Sequence, residues 1–347
     1  MADQDDDELS SEPQRPRNMG EFARASGLAR ATVSKYFQDP GSVRPTTRKR
    51  IEEFIEKLDY RPNLLAQNQN RNATRTIGVI IPNLLDPFFE DVVRRIEALL
   101  DAGGYRMFLL GSHGSAASES KAMDTLRSLR VSGVIIAPLG DDTDQPKLGR
   151  LRSEIPVVLL DTHLPGDFSY VGTDNAQSIG LIVSYLCATG SPPCFLSLPE
   201  FNSTSRSRRQ HYIDAVSAVG HRPQFIPVGR MDWDLEQVGY DAALHALSSG
   251  GFPSDTVLCA NDRLAIGVLA AAFEAGLRIG PGLDLRVAGH DDHPMARFTC
   301  PALTTVSQDY DRVARLAVET VLSLSQDQGE VAVRHLTPGK LVRRRSA

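Results

Sequence analysis

The sequence predicts an α/β protein in which two doubly wound lobes follow a small all-helical module. Three observations support this prediction. From Thr76 onward, strongly apolar segments of strand length alternate with amphipathic segments of helix length. The chain has 347 residues, enough for two domains of ordinary size and a small additional module. The stretch from Asn18 to Asn70, by contrast, has the pattern of short helices with a basic surface.

Charge separates the two parts of the chain. From Asn18 to Arg75 there are 11 Lys and Arg against 6 Asp and Glu, whereas the remainder has 27 against 37, and the whole chain has a net charge of −5. Only the first part has the sign that DNA phosphates attract.

There is no apolar run of about 18 residues, and the acidic N-terminus is unlike a secretory signal, so we expect no membrane span and a cytoplasmic protein. The scattered cysteines favour neither a zinc site nor a disulfide framework.

The front module is predicted to contain three helices. The first runs from Met19 to Ser26 and ends at Gly27, which tolerates the positive φ of a tight turn. The second runs from about Arg30 to Phe37, and the turn sequence Asp-Pro-Gly follows it. The third, Thr46 to Leu58, has apolar residues at i, i+3, i+4 and i+7, namely Ile51, Phe54, Ile55 and Leu58. We expect the three helices to share a small core.

At these residues the chain resembles the lactose repressor (LacI) family of bacterial transcription regulators. The matching stretches are ARASGLARATVSKYFQDPGSV, TRKRIEEFIEKLDYRPN and RTIGVIIPN. The resemblance implies a helix-turn-helix whose second helix reads the major groove, with base contacts from Arg30, Ala31 and Lys35. Phosphate contacts, which set register and not sequence, are expected from Thr32, Ser34, Ser42, Arg44 and Thr47.

Two departures from the family pattern concern DNA binding. Ala29 stands where the family usually has a Ser that caps the recognition helix. Residues 63–70 correspond to the family's hinge helix, which docks in the minor groove when two copies meet, and Gln69 stands where a leucine wedge is common. We therefore predict minor-groove docking without deep insertion, and a plain linker is the alternative. The expected contacts are Asn63, Ala66, Gln67 and Gln69.

The large remainder has the pattern of a parallel sheet covered on both faces, because its strands are uniformly apolar. The predicted strands are TIGVIIP, YRMFLLG, GVIIAPL and PVVLLD, then CFLSLP, QFIPV, TVLCA and RVAGH, and finally LTTVSQD and one last strand near VRHLTPGKLV. Two such lobes face each other across a cleft, and open sheets bind ligands at the carboxyl ends of their strands.

The LacI resemblance continues over these lobes to about Arg345, through DPFF, ANDRLAIGVLAAAFEAGLRI, RVAGHDD and PALTTVSQD. It implies a body similar to the periplasmic sugar-binding proteins, in which the chain crosses between lobes. The first lobe should then include Thr76 to about Val171 and the helix after Tyr310. The second lobe should take about Thr173 to Leu303 and the final strand.

The candidate ligand residues follow the strand ends. An aromatic face can stack on a sugar's C–H surface while a carboxylate holds its hydroxyls. By the resemblance, Arg209 is the family's ligand-gripping arginine. The expected effector site is Asp86, Phe88, Asp161, Ser205, Arg209, Trp233, Asn261, Asp291 and Gln308. Asp262 and Asp292 are better explained as helix caps, and His290 either favours an acidic or phosphorylated ligand or fills space.

We therefore expect a DNA-binding transcription regulator, in function a repressor, that acts as a homodimer on a pseudo-palindromic double-stranded operator. Its effector should be a small sugar, sugar acid or sugar phosphate. The expected domains are an acidic disordered tail at 1–17, the helix-turn-helix at 18–62, a hinge helix and linker at 63–75, an effector-binding and dimerisation domain at 76–341, and a C-terminal tail at 342–347.

Two other function classes are possible from the sequence. A solute-binding protein or sensor without a DNA role is opposed by the basic module. An enzyme, for instance one that processes sugars, has its best case in Gly289-His290-Asp291-Asp292-His293. Adjacent residues at a strand end point in different directions, so this run does not present one metal with a set of ligands. No nucleophile elbow or phosphate-binding glycine loop is present, and we expect neither catalysis nor a cofactor or metal.

Overall fold

The computed structural model describes residues 15–61, 74–229, 232–326 and 331–347. The chain divides into two compact units, one ending at Thr74 and the other beginning at Arg75. Within the described ranges, no helix combines the length and apolar character needed to cross a membrane. Most of the expected acidic tail lies outside these ranges, as do the four expected hinge contacts at Asn63, Ala66, Gln67 and Gln69.

The first unit is a small bundle of the three helices predicted from the sequence. They are α1 (Met19–Ser26), α2 (Arg30–Gln38) and α3 (Pro45–Leu58), with a short 3₁₀ turn at Pro40–Ser42. Gly27 ends α1 with a φ of 64°, as its position predicted. Apolar residues from all three helices fill the core, and Tyr60 stacks on Phe22 with ring centroids 4.4 Å apart.

The second unit alternates strands and helices along the chain. Its strands are β1 (Thr76–Ile81), β2 (Arg106–Gly111), β3 (Gly133–Ile136), β4 (Val157–Leu160), β5 (Ser169–Thr173), β6 (Cys194–Leu196), β7 (Phe225–Ile226), β8 (Thr256–Cys259), β9 (Arg286–Ala288), β10 (Thr305–Ser307), β11 (Arg334–Thr337) and β12 (Lys340–Val342). Its helices are α4 (Pro87–Ala102), α5 (Ala116–Leu129), α6 (Gln145–Glu154), α7 (Asn175–Thr189), α8 (Ser203–Ala218), α9 (Leu235–Ser248), α10 (Asp262–Glu274) and α11 (Tyr310–Gln326).

Two lobes result, each built on a parallel sheet. In lobe 1 the strand order is β11-β5-β4-β3-β1-β2, with α4 and α11 packed on one face and α5 and α6 on the other. In lobe 2 the order is β7-β6-β8-β9. Single bridges join β9 to the segment around β10, and β12 pairs antiparallel with β10. The predicted fold class is therefore confirmed.

The chain crosses between the lobes after β5, between β10 and α11, and between β11 and β12. The prediction that the helix after Tyr310 returns to lobe 1 is confirmed, because its apolar face packs on β1 and α4. The prediction of one final strand is wrong. Pro338 and Gly339 divide it, so that β11 pairs with β5 in lobe 1 and β12 pairs with β10.

Two further elements differ from the sequence-based expectation. β5 was not predicted as a strand, although it lies between β4 and β11 in the lobe 1 sheet. The expected C-terminal tail begins inside β12, and its last two residues, Ser346 and Ala347, are buried in lobe 2. Ser346 Oγ donates to the carbonyl of Val287 at 2.5 Å, which holds the chain end against β9.

Candidate functional site

The exposed face of α2 presents the residues expected to read DNA bases. Arg30, Ala31 and Lys35 are exposed while Val33, on the opposite side of the helix, is fully buried. Within the described part of the chain, Arg30 and Lys35 take part in no ion pair or side-chain hydrogen bond. Both cations are therefore available to an external acceptor.

The residues expected to contact phosphates surround this face. Ser42 and Arg44 are exposed, and Thr32, Ser34 and Thr47 are half-exposed. The Ser42 hydroxyl donates to the carbonyl of Asp39 at 2.6 Å and so helps to form the 3₁₀ turn. Its oxygen keeps acceptor capacity only, which makes Ser42 a weaker phosphate donor than the sequence indicated.

Helix α2 lacks a side-chain cap at its N-terminus, as the sequence predicted. Ala29 occupies the N-cap position in an extended conformation and offers no hydrogen bond to the first turn. By comparison, Asn18 caps α1 by accepting from the backbone N–H of Glu21 at 2.9 Å. The order of α2 therefore depends on packing of Val33 into the core rather than on a cap.

In the second unit a cleft opens between the lobes at the carboxyl ends of the strands. Its empty space, including open solvent at the mouth, is about 720 Å³. Eight of the nine residues predicted for the effector line it, and these are Asp86, Phe88, Asp161, Ser205, Trp233, Asn261, Asp291 and Gln308. The positions of these residues are fixed by helix caps and by the ends of strands. Asp86 caps α4 through the N–H of Phe88 at 3.0 Å, and Asn261 caps α10 through the N–H of Leu264 at 2.9 Å.

Arg208, and not Arg209, is the arginine of the cleft. Arg208 is 6% exposed, and its guanidinium donates to the Asn175 side chain at 3.1 Å, the Ala260 carbonyl at 2.6 Å and the Asp291 carboxylate at 3.0 Å. The prediction of Arg209 is therefore wrong. One residue further along α8, Arg209 faces away, 3.4 Å from Glu200 and stacked on Phe225 with its Cζ 4.3 Å from the ring centre.

The sequence contains a signal that would have found Arg208. On α8 the buried positions are Ser205, Arg208, Tyr212 and Val216, which follow one helical face. Arg209 is rotated about 100° from that face because an α-helix has 3.6 residues per turn. Tyr212 and Val216 thus indicate which of the neighbouring arginines turns inward.

Asp291 is the most heavily bonded carboxylate of the cleft. Its Oδ1 accepts from Arg208 Nη2, from Gln308 Nε2 at 2.7 Å and from His290 Nδ1 at 2.8 Å. Although burial raises the pKa of Asp291, the Arg208 guanidinium and these hydrogen bonds outweigh burial and hold it below the ordinary value. Asp291 is therefore ionised, and its φ of 114° shows that the backbone is strained to place it there.

His290 is hydrogen-bonded to Asp291 but does not itself line the cleft. It is fully buried, and burial together with the nearby Arg208 charge lowers its pKa to about 4. The ring is therefore neutral, with its proton on Nδ1 toward Asp291 and its Nε2 3.0 Å from the Ser178 hydroxyl. Of the two roles considered for His290, filling space fits this position and recognition of an acidic ligand does not.

The other two cleft carboxylates have different surroundings. Asp86 lies 3.2 Å from the guanidinium of Arg263, which reaches across from lobe 2, and burial raises its pKa. Burial also raises the pKa of Asp161, to about 6. The main-chain carbonyl of Asp161 accepts from Thr204 Oγ1 at 2.7 Å and Tyr170 Oη at 2.8 Å. Three acidic side chains thus converge on one space, and two of them are paired with an arginine, Asp86 with Arg263 and Asp291 with Arg208.

Several cleft residues were not singled out from the sequence. Phe89 and Phe201 add aromatic surface beside Phe88 and Trp233. Asn202 caps α8 together with Ser205 in a reciprocal capping box. The sequence Asn-Ser-Thr-Ser before a helix is a recognisable cap signal. The other newly found polar lining residues are Thr162 and Thr204.

Residues of the run from His290 to His293 are bonded to neighbouring parts of the protein. Asp292 pairs with Arg344 at 2.6 Å, and the His293 N–H donates to Asp262 at 2.7 Å. Asp262 is buried, and Asn261, not Asp262, is the helix cap. No group of three or more His, Cys, Asp or Glu side chains in the described ranges is arranged to hold a metal ion.

Both parts of the chain are similar to known proteins. Residues 18–63 match the bacterial regulatory proteins of the lacI family, and residues 165–347 match the periplasmic binding protein-like domain. The ribose operon repressor of Escherichia coli K12 is 28% identical over 309 residues, which cover 88% of this chain and 92% of the repressor. The transcriptional repressor CytR of the same strain is 28% identical over 317 residues and 90% of each chain.

A solved structure extends the likeness to the whole molecule. The lac repressor dimer bound to operator and an anti-inducer superposes with a TM-score of 0.82 at 26% sequence identity, over 95% of this chain and 99% of the other.

Proposed function

This chain belongs to the lacI family of bacterial regulatory proteins, and from that premise we propose that its regulatory ligand is a neutral, polyhydroxylated sugar or sugar-like compound. The protein is a transcription regulator that binds operator DNA as a homodimer and responds to a small effector. It is a regulator and not a catalyst. The observation that carries the proposal is the acidic, aromatic-walled cleft between the lobes.

Charge is the reason to prefer a neutral ligand over a sugar acid or sugar phosphate. Asp86 and Asp291 each have an arginine partner, whereas Asp161 has no ion-pair partner in the described ranges. Arg208 already donates to three protein acceptors, so little of its positive charge is left uncompensated. An added anion would meet carboxylates at close range, but hydroxyl groups can donate to each of them.

The aromatic residues complete the fit to a sugar ring. Phe88 comes from lobe 1 and Trp233 from lobe 2, so both lobes offer apolar faces to the same space. A sugar presents C–H surface above and below its hydroxyls, and aromatic rings pack on such surface. One relative is named for ribose, which makes pentoses the first compounds to test.

The DNA-binding half of the proposal assigns base reading to Arg30, Ala31 and Lys35 on the exposed face of α2. Arg30 and Lys35 suit guanine O6 and N7, and the methyl of Ala31 suits the thymine methyl. The surrounding polar side chains would grip phosphates and set the register. The match of residues 18–63 to a DNA-binding family opposes a solute-binding protein without a DNA role.

The decisive experiment compares two neighbouring arginines. Arg208→Gln should weaken binding of the active sugar by about 10- to 100-fold, because charged hydrogen bonds in the cleft are lost. Arg209→Gln, on the outer face of the same helix, should change it by about twofold at most. Pentoses, hexoses, nucleosides and their phosphates are screened by thermal shift and by the fluorescence of Trp233, and operator binding is followed by fluorescence anisotropy.

The proposal requires that a neutral compound binds, that its phosphate ester does not, and that it changes operator affinity in wild type and Arg209→Gln. Tighter binding of the phosphate ester would refute the neutral ligand. An equal effect of the two substitutions would remove Arg208 from the site.

A further inference from the structure

At the edge of the cleft, one segment of each lobe engages the other. In lobe 1 this is the loop 138–143 between β3 and α6, and in lobe 2 it is the segment 199–206 that leads into α8. We call these two segments the rim latch. The backbone N–H of Asp141 donates to the carbonyl of Phe201 at 2.9 Å. The guanidinium of Arg206 holds both carboxylate oxygens of Asp141, through Nη1 at 2.8 Å and Nη2 at 3.1 Å.

The approach of the two backbones depends on Gly140. Its φ is 106°, in the region that favours glycine, and a Cβ on it would lie 2.4 Å from the Phe201 carbonyl oxygen and 2.6 Å from Asn202 Cβ. Any larger residue at 140 would push the segments apart. A glycine of lobe 1 is therefore required by a contact with lobe 2.

The lobe 1 half of the latch is fastened to its own lobe. Glu119 on α5 is fully buried and accepts from the N–H of Leu139 at 2.8 Å. Thr143 Oγ1 accepts from the N–H of Gly140 at 3.2 Å and closes the loop on itself. Because the loop is held at both points, separation of the lobes must break the contacts of Asp141 rather than stretch the loop.

We propose that the rim latch is a conformational device that sets the fraction of molecules with a closed cleft. The side chains of Arg206 and Asp141 do not line the ligand space, so this control is separate from ligand contacts. They are 40% and 60% exposed, so the ion pair should change the closed-to-open ratio by about fivefold at most. Such a pair tunes an equilibrium and responds to salt.

Trp233 supplies a direct measure of closure. It is the one tryptophan of the chain, and it lies in lobe 2 against Gly114 of lobe 1, where an added Cβ would be 2.0 Å from its Nε1. Separation of the lobes must expose the indole. Acrylamide quenching of the full-length protein therefore measures opening without effector or operator.

The first variant removes the ion pair. Arg206→Gln should raise the acrylamide quenching constant toward that of an exposed indole and reduce its dependence on NaCl between 0.1 and 0.5 M. The exchanged pair Asp141→Arg with Arg206→Asp should restore quenching toward wild type. Asp141→Arg alone should open the cleft further than Arg206→Gln, because two cations then face each other.

The second variant tests the backbone contact against a matched control. Gly140→Ala should raise quenching through the clash with Phe201. Gly250→Ala places the same strain at a φ of 108°, but nothing lies within 4 Å of its Cβ, so quenching should equal wild type. Circular dichroism and thermal melting report whether each variant folds. If Gly140→Ala does not fold, Arg206→Gln and the exchanged pair decide the question.

The proposal is overturned if folded Arg206→Gln shows wild-type quenching and wild-type salt dependence, or if the exchanged pair fails to restore closure. It rests on the proposed function only where closure is linked to ligand affinity, since residues of both lobes line the cleft. If the latch variants open the cleft while no sugar binds any form of the protein, the latch stands and the ligand assignment fails.

Discussion

Asp262 illustrates how one buried side chain makes stability depend on pH. It lies beneath Gly289, where a Cβ would be 2.0 Å from its Oδ1, and it accepts from Thr305 Oγ1 at 2.6 Å and from the His293 N–H at 2.7 Å. Burial, with the nearby charge of Asp291 as a second cause, raises its pKa to about 8. Asp262 is thus a neutral acid in the folded protein at pH 7.

The substitution Asp262→Asn tests this protonation. Between the ordinary pKa of 3.8 and about 8, the folded state keeps a proton that the unfolded chain has lost. The wild-type free energy of unfolding should therefore fall with rising pH, by at most about 1.4 kcal/mol per pH unit from this group. An amide has no proton to lose, so the stability of the variant relative to wild type should increase from pH 5 to 8.

Urea unfolding at several pH values measures the difference between the two proteins. Asp284→Asn is the control, because Asp284 is exposed and its hydrogen bonds from Arg278 lower its pKa. That variant should differ from wild type by a constant amount over the same range. Parallel curves for Asp262→Asn and wild type would show that Asp262 is ionised.

The sequence predicted those cleft residues whose positions follow from sheet topology alone. Asp161 and Asn261 follow apolar strands, and the carboxyl ends of parallel strands meet at one edge of a sheet. The choice between Arg208 and Arg209 could not be made in this way. It depends on which face of α8 turns inward, and the residues that pack against that face are far away in the sequence. Asn175 and the Ala260 carbonyl, which fix Arg208, are visible only in three dimensions.

Among the secondary-structure elements, the recognition helix α2 has an N-terminus that can be improved. Ala29 has φ −64° and ψ 135°, an extended conformation that suits a capping residue. Ala29→Ser should therefore supply a hydroxyl to the first-turn N–H groups and stabilise the helical unit by about 0.5 to 2 kcal/mol. Slower amide hydrogen exchange in α2 of the full-length protein would report it.

Asn18→Ala gives the matched opposite change, because it removes the existing cap of α1. Exchange in α1 should accelerate by a comparable free energy. Unchanged exchange in Ala29→Ser, beside a clear effect of Asn18→Ala, would mean that packing alone determines the order of α2.

Helices with strong periodicity were predictable from the sequence, and short strands at the lobe crossings were not. Each helix of the first unit was predicted within a residue of its observed ends, because apolar spacing and turn residues agree there. β5, β11 and β12 have three to five residues each, and their pairings include distant partners, with Arg334 opposite Tyr170 and Lys340 opposite Ser307. Local pattern says little about such strands, since tertiary pairing decides them.

For the whole molecule, dimerisation predicts the symmetry of the DNA target. Two identical reading heads related by a two-fold axis require two half-sites in inverted orientation. Destroying one half-site should lower affinity by about 100-fold or more, because the second head loses its tethered partner site. Inverting one half-site to give a direct repeat should have the same effect.

Mobility-shift titrations at a fixed salt concentration measure these affinities, with a scrambled duplex as the reference for non-specific binding. Equal affinity for the direct and inverted repeats would contradict the two-fold arrangement. Loss of the distinction between operator and scrambled duplex would contradict sequence reading itself.

The interleaved path of the chain also constrains its biosynthesis. Lobe 1 needs α11 to cover one face of its sheet and β11 to complete one edge, and both come from the last 40 residues. Until α11 has been synthesised, only α4 is packed on the apolar face of the lobe 1 sheet around Ile77 and Val79. Chains truncated before Tyr310 should therefore expose part of this face and aggregate, or be removed by chaperones or proteases.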